Sequence, residues 1–311
     1  MRLLWVSDKG EIHILNQDIV VSNLRRAANG SIILENEPMR KHTSFKIGGP
    51  AAVILIPNSE EAAQSAVNAL KGVKYTVIGN GSNLLVKDEG YDGVVIKISA
   101  AMSSVETDGD IITAQSGAAL SKVGNAAKAA QLSGFEFACG IPGTVGGAVY
   151  MNAGAYGGEM KDIVISSRCM DENGVISEVT EHNFGYRTSV YKDSGRIILS
   201  AKFRLAPGNA DEIGAKMLDF AKRRSDKQPL EYPSAGSVFK RPEGYFAGQL
   251  IEQAGLKGYR IGGACVSEKH SGFIINQGGA TCSDVLALIE HIKETVYRQF
   301  GVELEQEVKV L

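Results

Sequence analysis

Strands and helices that follow one another without strict alternation predict an α+β fold for this chain rather than a doubly wound sheet. Three observations carry that expectation. Apolar runs of strand length stand at Val53-Ile54-Leu55-Ile56, Tyr75-Thr76-Val77-Ile78 and Val94-Val95-Ile96-Lys97-Ile98. Helical periodicity with plausible caps appears between and after them. Beyond residue 99 the rhythm changes, and short strands such as Ile111-Ile112-Thr113-Ala114 and Ile197-Ile198-Leu199 enclose a helix at 120–132 and a long glycine-rich stretch.

Each element has a local reason. Residues 16–28 form an amphipathic pattern closed by Asn29-Gly30, and the fifteen residues before them read as an unattached strand or tail. Ser59 is the expected N-cap of the next helix, with Glu60 and Glu61 in its first turn and Ala62, Val67 and Leu70 continuing it. From Asp211 a helix carrying Ile213, Met217, Leu218 and Ala221 opens what reads as a third unit. Ser283 is the expected cap of the last helix, whose Val285, Leu288, Ile289, Ile292, Val296 and Phe300 recur at helical spacing. At the C-terminus, strand alternation puts Leu304, Val308 and Val310 on one face and Glu303, Glu305, Glu307 and Lys309 on the other.

Composition narrows the function. A chain of 311 residues calls for two or three domains. A net charge of −2 argues against a nucleic-acid partner, which needs a basic face. Cys139, Cys169, Cys265 and Cys282 are far apart and the five histidines scattered, so no metal-ligand spacing arises and no metal is expected. Free thiols in a reducing cytoplasm are the simplest reading of those cysteines. No apolar run approaches the roughly 20 residues of a membrane span, and the N-terminal apolar stretch is too short for a signal peptide. The expectation is a cytoplasmic protein with no membrane partner.

Glycine is the anomaly, at 36 of 311 residues, more than a tenth where roughly 7% is usual. Gly79-Asn80-Gly81-Ser82-Asn83 follows a strand directly. Such a turn either aims several backbone N–H groups at one anion or closes a tight hairpin, and spacing leaves both open. The second concentration is GIPGTVGGAVYMNAGAYGGE, residues 140–159, with Thr144, Tyr150, Asn152 and Tyr156 and no charged side chain before Glu159. Two neutral, donor-rich loops suit a large ligand bearing phosphates and a flat ring, since an unpaired carboxylate beside a diphosphate is strongly unfavourable in a poorly solvated site. A glycine-rich packing corner is the other reading.

Through these two loops and several further segments, the chain resembles the UDP-N-acetylenolpyruvoylglucosamine reductase (MurB) family. The matching stretches are Lys41 to Gly49, Gly79 to Leu84, Gly140 to Gly158, Phe184-Gly185-Tyr186-Arg187-Thr188-Ser189, Ala235 to Lys240, Ala247 to Glu252, Ala254 to Gly258, and Glu305-Gln306-Glu307-Val308. They run in the expected order over most of the chain.

The resemblance implies a two-lobed FAD-binding domain of the PCMH/vanillyl-alcohol-oxidase-like kind plus a C-terminal α+β substrate-binding domain. Its expected parts are an N-terminal extension and helix at 1–37, FAD lobes at 38–98 and 99–206, and a substrate domain at 207–311 whose last strand returns to the active site. The implied reaction is NADPH-dependent reduction of UDP-N-acetylglucosamine enolpyruvate to UDP-N-acetylmuramate through non-covalent FAD. The implied catalytic residues are Arg187, Ser237 and Glu307. The implied FAD contacts are Ile47, Gly48 and Gly49; Gly79, Asn80, Gly81, Ser82, Asn83 and Leu84; and Gly140, Ile141, Gly143, Thr144, Gly146, Gly147, Ala148, Asn152, Ala153 and Gly154. Tyr186, Lys227, Lys240 and Arg241 are the implied substrate contacts. A monomer or weak oligomer is expected.

The implied roles suit the chemistry. Hydride addition to an enolpyruvyl ether builds negative charge beside its carboxylate, which needs a hydrogen-bonding cation and a proton donor. A guanidinium is permanently charged and grips a carboxylate with two donors. Read alone, Arg187 is a turn arginine, Ser237 a serine after glycine, and Lys227 a cation at a helix end.

Two departures stand out. Arg241 occupies the place where some family members have asparagine, and residues 188–226 are too few for the insertion that carries a capping tyrosine in some members. The chain therefore resembles the class lacking that loop. The first fifteen residues have no counterpart in the resemblance. The competing readings are an oxidase of the same FAD fold that tethers its flavin through histidine or cysteine, and a nucleotide-binding module without activity.

Overall fold

The computed structural model describes Arg2–Val6 and residues 12–311, with side chains from Asn16 onward. It confirms the α+β class and divides into two compact units, each built from discontinuous segments. The first comprises residues 1–35, Ala52–Asn80 and Asp92–Arg223; the second comprises Asn36–Ala51, Gly81–Tyr91 and Arg224–Leu311.

In the first unit, a four-stranded sheet takes the order Ile32–Pro38, Pro50–Ile56, Tyr91–Lys97, Tyr75–Ile78. Helix α1 (Gln17–Ala27) starts where the Asn16 carboxamide accepts the Asp18 N–H, and its Val20, Val21 and Leu24 join Val53, Leu55, Val94 and Ile96 in one core. Helix α2 (Glu60–Ala69) is capped by Ser59, whose hydroxyl accepts the Ala62 N–H at 3.1 Å, as its sequence foretold. Arg2–Val6 pairs antiparallel with Ile12–Asn16, so the expected tail contains a two-stranded ribbon. Tyr75–Ile78 and Tyr91–Lys97 pair in parallel, Tyr75 opposite Val94. The strand that follows the turn after Ile78 is Leu84–Leu85, which pairs with Lys309–Val310 and not with Tyr75–Ile78, so the turn closes no hairpin.

The second sheet of this unit is antiparallel, in the order Ile176–Val179, Val164–Met170, Ile197–Arg204, Ile111–Gln115, Val105–Asp108. Helices α3 (Leu120–Ala129) and α4 (Val145–Tyr150) cover it, with Leu120, Val123, Val145 and Val149 packed on Ile112, Ala114 and Phe203. Helix α3 ends earlier than the expected residue 132. Gln131 turns left-handed at φ 55°, and Leu132–Ser133 pairs with Ala206–Pro207 instead. Helix α5 (Ala210–Lys227) buries only Ile213 and Gly214, and Leu218 is 73% exposed. The expected apolar face of that helix therefore fails beyond its first turn, and the helix belongs to the first unit as far as Arg223.

The second unit holds an antiparallel sheet in the order Ser234–Ser237, Phe273–Asn276, Ala264–Val266, Arg260–Ile261. Helices α6 (Ala247–Gln253) and α7 (Cys282–Phe300) pack on it through Leu250, Ile251, Val285, Leu288, Ile289 and Val296. Thr281, not Ser283, caps α7: its hydroxyl accepts the Asp284 N–H at 3.0 Å while Asp284 accepts the Thr281 N–H. Ser283 is one step inside the helix, where it donates to Asp88. The C-terminal alternation is also corrected. Only Lys309–Val310 is a strand, parallel to Leu84–Leu85, and Gln306 makes one bridge to Phe239. Leu304 and Val308 are buried as expected, but Val310 is 39% exposed.

Candidate functional site

In the first unit, the turn after Ile78 and the stretch from 140 to 159 meet. Asn80 donates through Nδ2 to the Pro142 carbonyl at 3.2 Å, and a Cβ on Gly79 would overlap the Thr144 hydroxyl. Gly79 and Asn80 thus lie directly against the glycine-rich stretch within this unit. The stretch is not all loop. Its centre is α4, whose Val145 and Gly146 N–H groups donate to the carbonyls of Ala118 and Ser116 at 2.9 Å. A Cβ on Gly146 would lie 2.7 Å from that of Ser116, and one on Gly158 would lie 2.6 Å from the Phe137 ring. Packing therefore accounts for several of these glycines, whereas a Cβ on Gly147 would meet nothing nearer than Thr144 at 3.8 Å.

Asn152 is only 1% exposed and its carboxamide is used internally. Its Nδ2 donates to Glu159 Oε2 at 3.0 Å and to the Gly185 carbonyl at 2.9 Å, while its Oδ1 accepts the Lys161 N–H at 2.9 Å. It therefore joins the end of the glycine-rich stretch to the turn that carries Arg187. Glu159 also pairs with Lys161 at 2.7 Å. The Lys161 ammonium, followed by Asn152 and the charge of Arg187, holds the Glu159 carboxyl below its usual range against the opposing effect of burial.

Arg187 stands at φ 56°, in a turn closed by reciprocal Gly185–Thr188 backbone bonds of 3.1 and 3.3 Å. A left-handed arginine is disfavoured by roughly 1–2 kcal/mol, and such positions persist where the surroundings impose them. Here the supports are named. Ser189 donates to the Tyr150 carbonyl at 2.7 Å, and Val190 N–H donates to the His182 carbonyl at 2.7 Å. Below them Ser167 contacts both His182 Nε2 at 2.7 Å and the Tyr191 hydroxyl at 2.6 Å. Burial pushes the Tyr191 phenol up to about 12 and the His182 imidazole down, so this buried network stays uncharged. The Arg187 guanidinium lies 5.2 Å from the centre of the Tyr186 ring.

In the second unit, Gly48 at φ 133° backs onto Val86, where a Cβ would approach 2.7 Å, and a Cβ on Gly49 would overlap the Asp88 carbonyl. Thr43 fastens the same bend by donating to the Ile47 carbonyl at 3.2 Å. Gly81 is left-handed at φ 63°, and a Cβ there would overlap the His42 carbonyl. Gly48 and Gly49 are thus laid against residues 86–90 and Gly81 against 42–43, with Ile47 buried and Ser82 and Asn83 partly exposed.

Ser237 is aimed by a bulge. Ser234 is opposite Ile275 and Ser237 opposite Phe273, so one extra residue is accommodated, and Gly236 takes φ 80° to do so. The Ser237 hydroxyl has two carbonyls within reach, Phe239 at 3.3 Å and Gly272 at 3.5 Å. Glu307 is brought beside it by the main chain, its N–H donating to the Val238 carbonyl at 2.7 Å. Asn83 donates through Nδ2 to the Glu307 carbonyl at 3.3 Å, and its own carbonyl accepts the Lys309 N–H at 3.0 Å. Two of the three expected catalytic residues and one expected flavin segment therefore share one framework in this unit. Lys240 pairs with Glu305, and the Arg241 guanidinium stacks 4.0 Å from the centre of the exposed Phe246 ring. Lys227 is exposed at the last residue of α5.

The donor set fits a flavin dinucleotide. Each unit supplies neutral, glycine-rich backbone of the kind that suits such a group: Gly79, Gly143 and Gly147 with Thr144 in the first, and Gly48 and Gly81 with Ser82 and Asn83 in the second. His270 carries no mark in the sequence, because only strand pairing brings it to Ser237.

Known proteins match both halves. A family model for an FAD binding domain matches residues 50–180, and one for the C-terminal domain of UDP-N-acetylenolpyruvoylglucosamine reductase matches residues 228–311. A reductase of that name from Clostridioides difficile is 53% identical over 300 residues, covering 95% of this chain and 98% of the relative. One from Caldanaerobacter subterraneus is 51% identical over 94% of this chain and 98% of the relative. The crystal structure of the Thermus caldophilus reductase superposes with a TM-score of 0.78 at 34% identity, covering 90% of this chain and 98% of that one. The chain belongs to the UDP-N-acetylenolpyruvoylglucosamine reductase family.

Proposed function

We infer that this protein is a flavin-dependent oxidoreductase that reduces UDP-N-acetylglucosamine enolpyruvate to UDP-N-acetylmuramate with electrons from NADPH, in peptidoglycan precursor synthesis. The observation that carries this reading is identity of about half over nearly the whole of both partners, with FAD-binding and reductase C-terminal domains both matched. Bound FAD supplies the chemistry of accepting two electrons from NADPH and passing them to the enolpyruvyl double bond.

The residue roles are proposals. Arg187 holds the substrate carboxylate and stabilises the charge that develops beside it; its fixed turn suits a preorganised cation. Ser237 gives its proton to the carbon next to that carboxylate, helped by its having only long contacts, at 3.3 and 3.5 Å, to break. Glu307 acts beside Ser237 through its carboxyl, facing the enolate carboxylate or relaying the proton. Tyr186, Lys227, Lys240 and Arg241 contact the substrate, Arg241 at its diphosphate. Residues 38–98 and 99–206 supply the two flavin lobes and 207–311 the substrate side.

FAD is held without a covalent bond. The histidine nearest the flavin segments is His42, whose ring is largely buried and whose Nε2 lies 3.4 Å from Glu37 Oε1. Acid precipitation should therefore release the yellow chromophore, and a coloured pellet would count against non-covalent binding. Cytoplasmic location and a monomer or weak oligomer complete the proposal; no helix among the described residues is long and apolar enough to cross a membrane.

The direct test is NADPH oxidation by the purified holoenzyme with and without UDP-N-acetylglucosamine enolpyruvate. The reading requires a large acceleration by the sugar nucleotide. A rate indifferent to it removes the assignment.

A further inference from the structure

We propose that His270 is a positioning residue for Ser237, acting through the backbone of Gly272. The inference rests on Ser237 as proton donor. Its starting point is a turn in the second unit, where the buried Ser267 hydroxyl accepts the N–H groups of Lys269 and His270 at 3.1 and 3.3 Å. The Phe273 N–H closes the turn on the His270 carbonyl at 2.9 Å. Within it, His270 Nδ1 accepts the Gly272 N–H at 3.1 Å. Nδ1 is therefore unprotonated and the ring proton resides on Nε2. The Phe273 ring meets the imidazole edge-on at 4.9 Å and fixes its plane.

Gly272 connects this ring to the serine. Its carbonyl accepts the Val238 N–H at 2.9 Å and lies 3.5 Å from the Ser237 hydroxyl. A Cβ on Gly272 would be 2.9 Å from His270 Cε1 and 3.3 Å from Ser237 Oγ, so imidazole and hydroxyl flank the same bare backbone. The imidazole holds the Gly272 N–H, and through the Gly272 Cα it fixes the next peptide, whose carbonyl meets the Ser237 hydroxyl. Neutral imidazole is the form required, because protonation turns Nδ1 from acceptor to donor and breaks the bond to Gly272. Burial favours the neutral form. The facing charge is the Glu252 carboxylate of α6, which opposes burial, with Lys269 on the same turn as the histidine.

The experiment separates the two half-reactions of the holoenzyme by stopped flow: bleaching by NADPH, then reoxidation by UDP-N-acetylglucosamine enolpyruvate. His270→Ala should slow reoxidation by about 10- to 100-fold, leaving bleaching and the substrate concentration for half-saturation unchanged. His270→Asn, whose Oδ1 replaces the Nδ1 acceptor, should restore most of the loss, and His270→Gln, whose polar atom reaches further, should not. In a Ser237→Ala background, His270→Ala should cost nothing more. Undiminished reoxidation in His270→Ala, equal slowing of both half-reactions, or an additive loss with Ser237→Ala overturns the proposal. If His270→Ala sheds its flavin, the Asn and Gln variants decide the question in its place, and equal rates in those two overturn the proposal. A wild-type enzyme that substrate fails to reoxidise indicts the functional assignment instead.

Discussion

The main-chain N–H of Glu307 donates to the carbonyl of Val238 at 2.7 Å, one residue beyond Ser237. Residues separated by 70 positions in the chain are thereby held in register by backbone alone. Neither side chain is needed to make that contact, so both can be chosen for chemistry. Glu307→Gln should consequently leave the fold intact, shifting the melting temperature little, while lowering turnover by about 100-fold or more if its carboxyl handles charge or a proton. Turnover at the wild-type rate would show that only the Glu307 backbone matters.

Arg187 occupies a left-handed position that glycine tolerates better. Arg187→Gly should be neutral or mildly stabilising in a melting experiment, yet reduce kcat by about 10²- to 10³-fold, the scale of losing one group that stabilises developing charge. Lysine at this position keeps the charge but loses the two-donor fork, so it should recover only part of that loss. Marked destabilisation of the glycine variant would mean that the side chain is structural.

Asn152 makes three hydrogen bonds while almost wholly buried. Asn152→Ala leaves a carbonyl, a carboxylate and an N–H without that partner, at a cost of about 1–3 kcal/mol. Because one of those bonds holds the Arg187 turn, kcat should fall together with stability. An alanine variant with normal kcat and lowered stability would detach Asn152 from the reaction.

Glu136 is buried, bonded to Ser133 Oγ and Gly134 N–H at 2.8 Å and 3.7 Å from Lys216. Burial alone would raise its pKa, but these partners together lower it. A depressed folded pKa stabilises above the unfolded value, about 4.3, and that stability is lost as pH falls through the folded value. Glu136→Gln should thus be less stable than wild type at pH 7 and converge with it as the medium is acidified below about pH 4. A gap that widens on acidification would contradict the assignment.

What the sequence made legible was local. Ser59 caps its helix through a bond three residues away, and the buried strand at 53–56 announced itself by four apolar residues in a row. The departures came from distant partners. Ser283 has the chemistry of a cap, but Asp88 claims its hydroxyl at 2.8 Å from 195 residues away, and the cap falls to Thr281. The Gly79–Asn83 turn stays ambiguous in sequence because the strand after it, Leu84–Leu85, takes its partner from Lys309–Val310, more than 200 residues away. Arg187, Ser237 and Glu307 are proposed on resemblance alone, since no periodicity distinguishes them from surface residues. His270 carried no signal, its meaning being made by the pairing of Ser237 with Phe273.

Ser237 is the residue on which the proposed chemistry turns most directly. In stopped flow, Ser237→Ala holoenzyme should be bleached by NADPH at the wild-type rate. Its reoxidation by UDP-N-acetylglucosamine enolpyruvate should then be slower by about 10²- to 10⁴-fold, the range expected for loss of a positioned proton donor. Equal losses in both half-reactions, or reoxidation at the wild-type rate, would contradict that role.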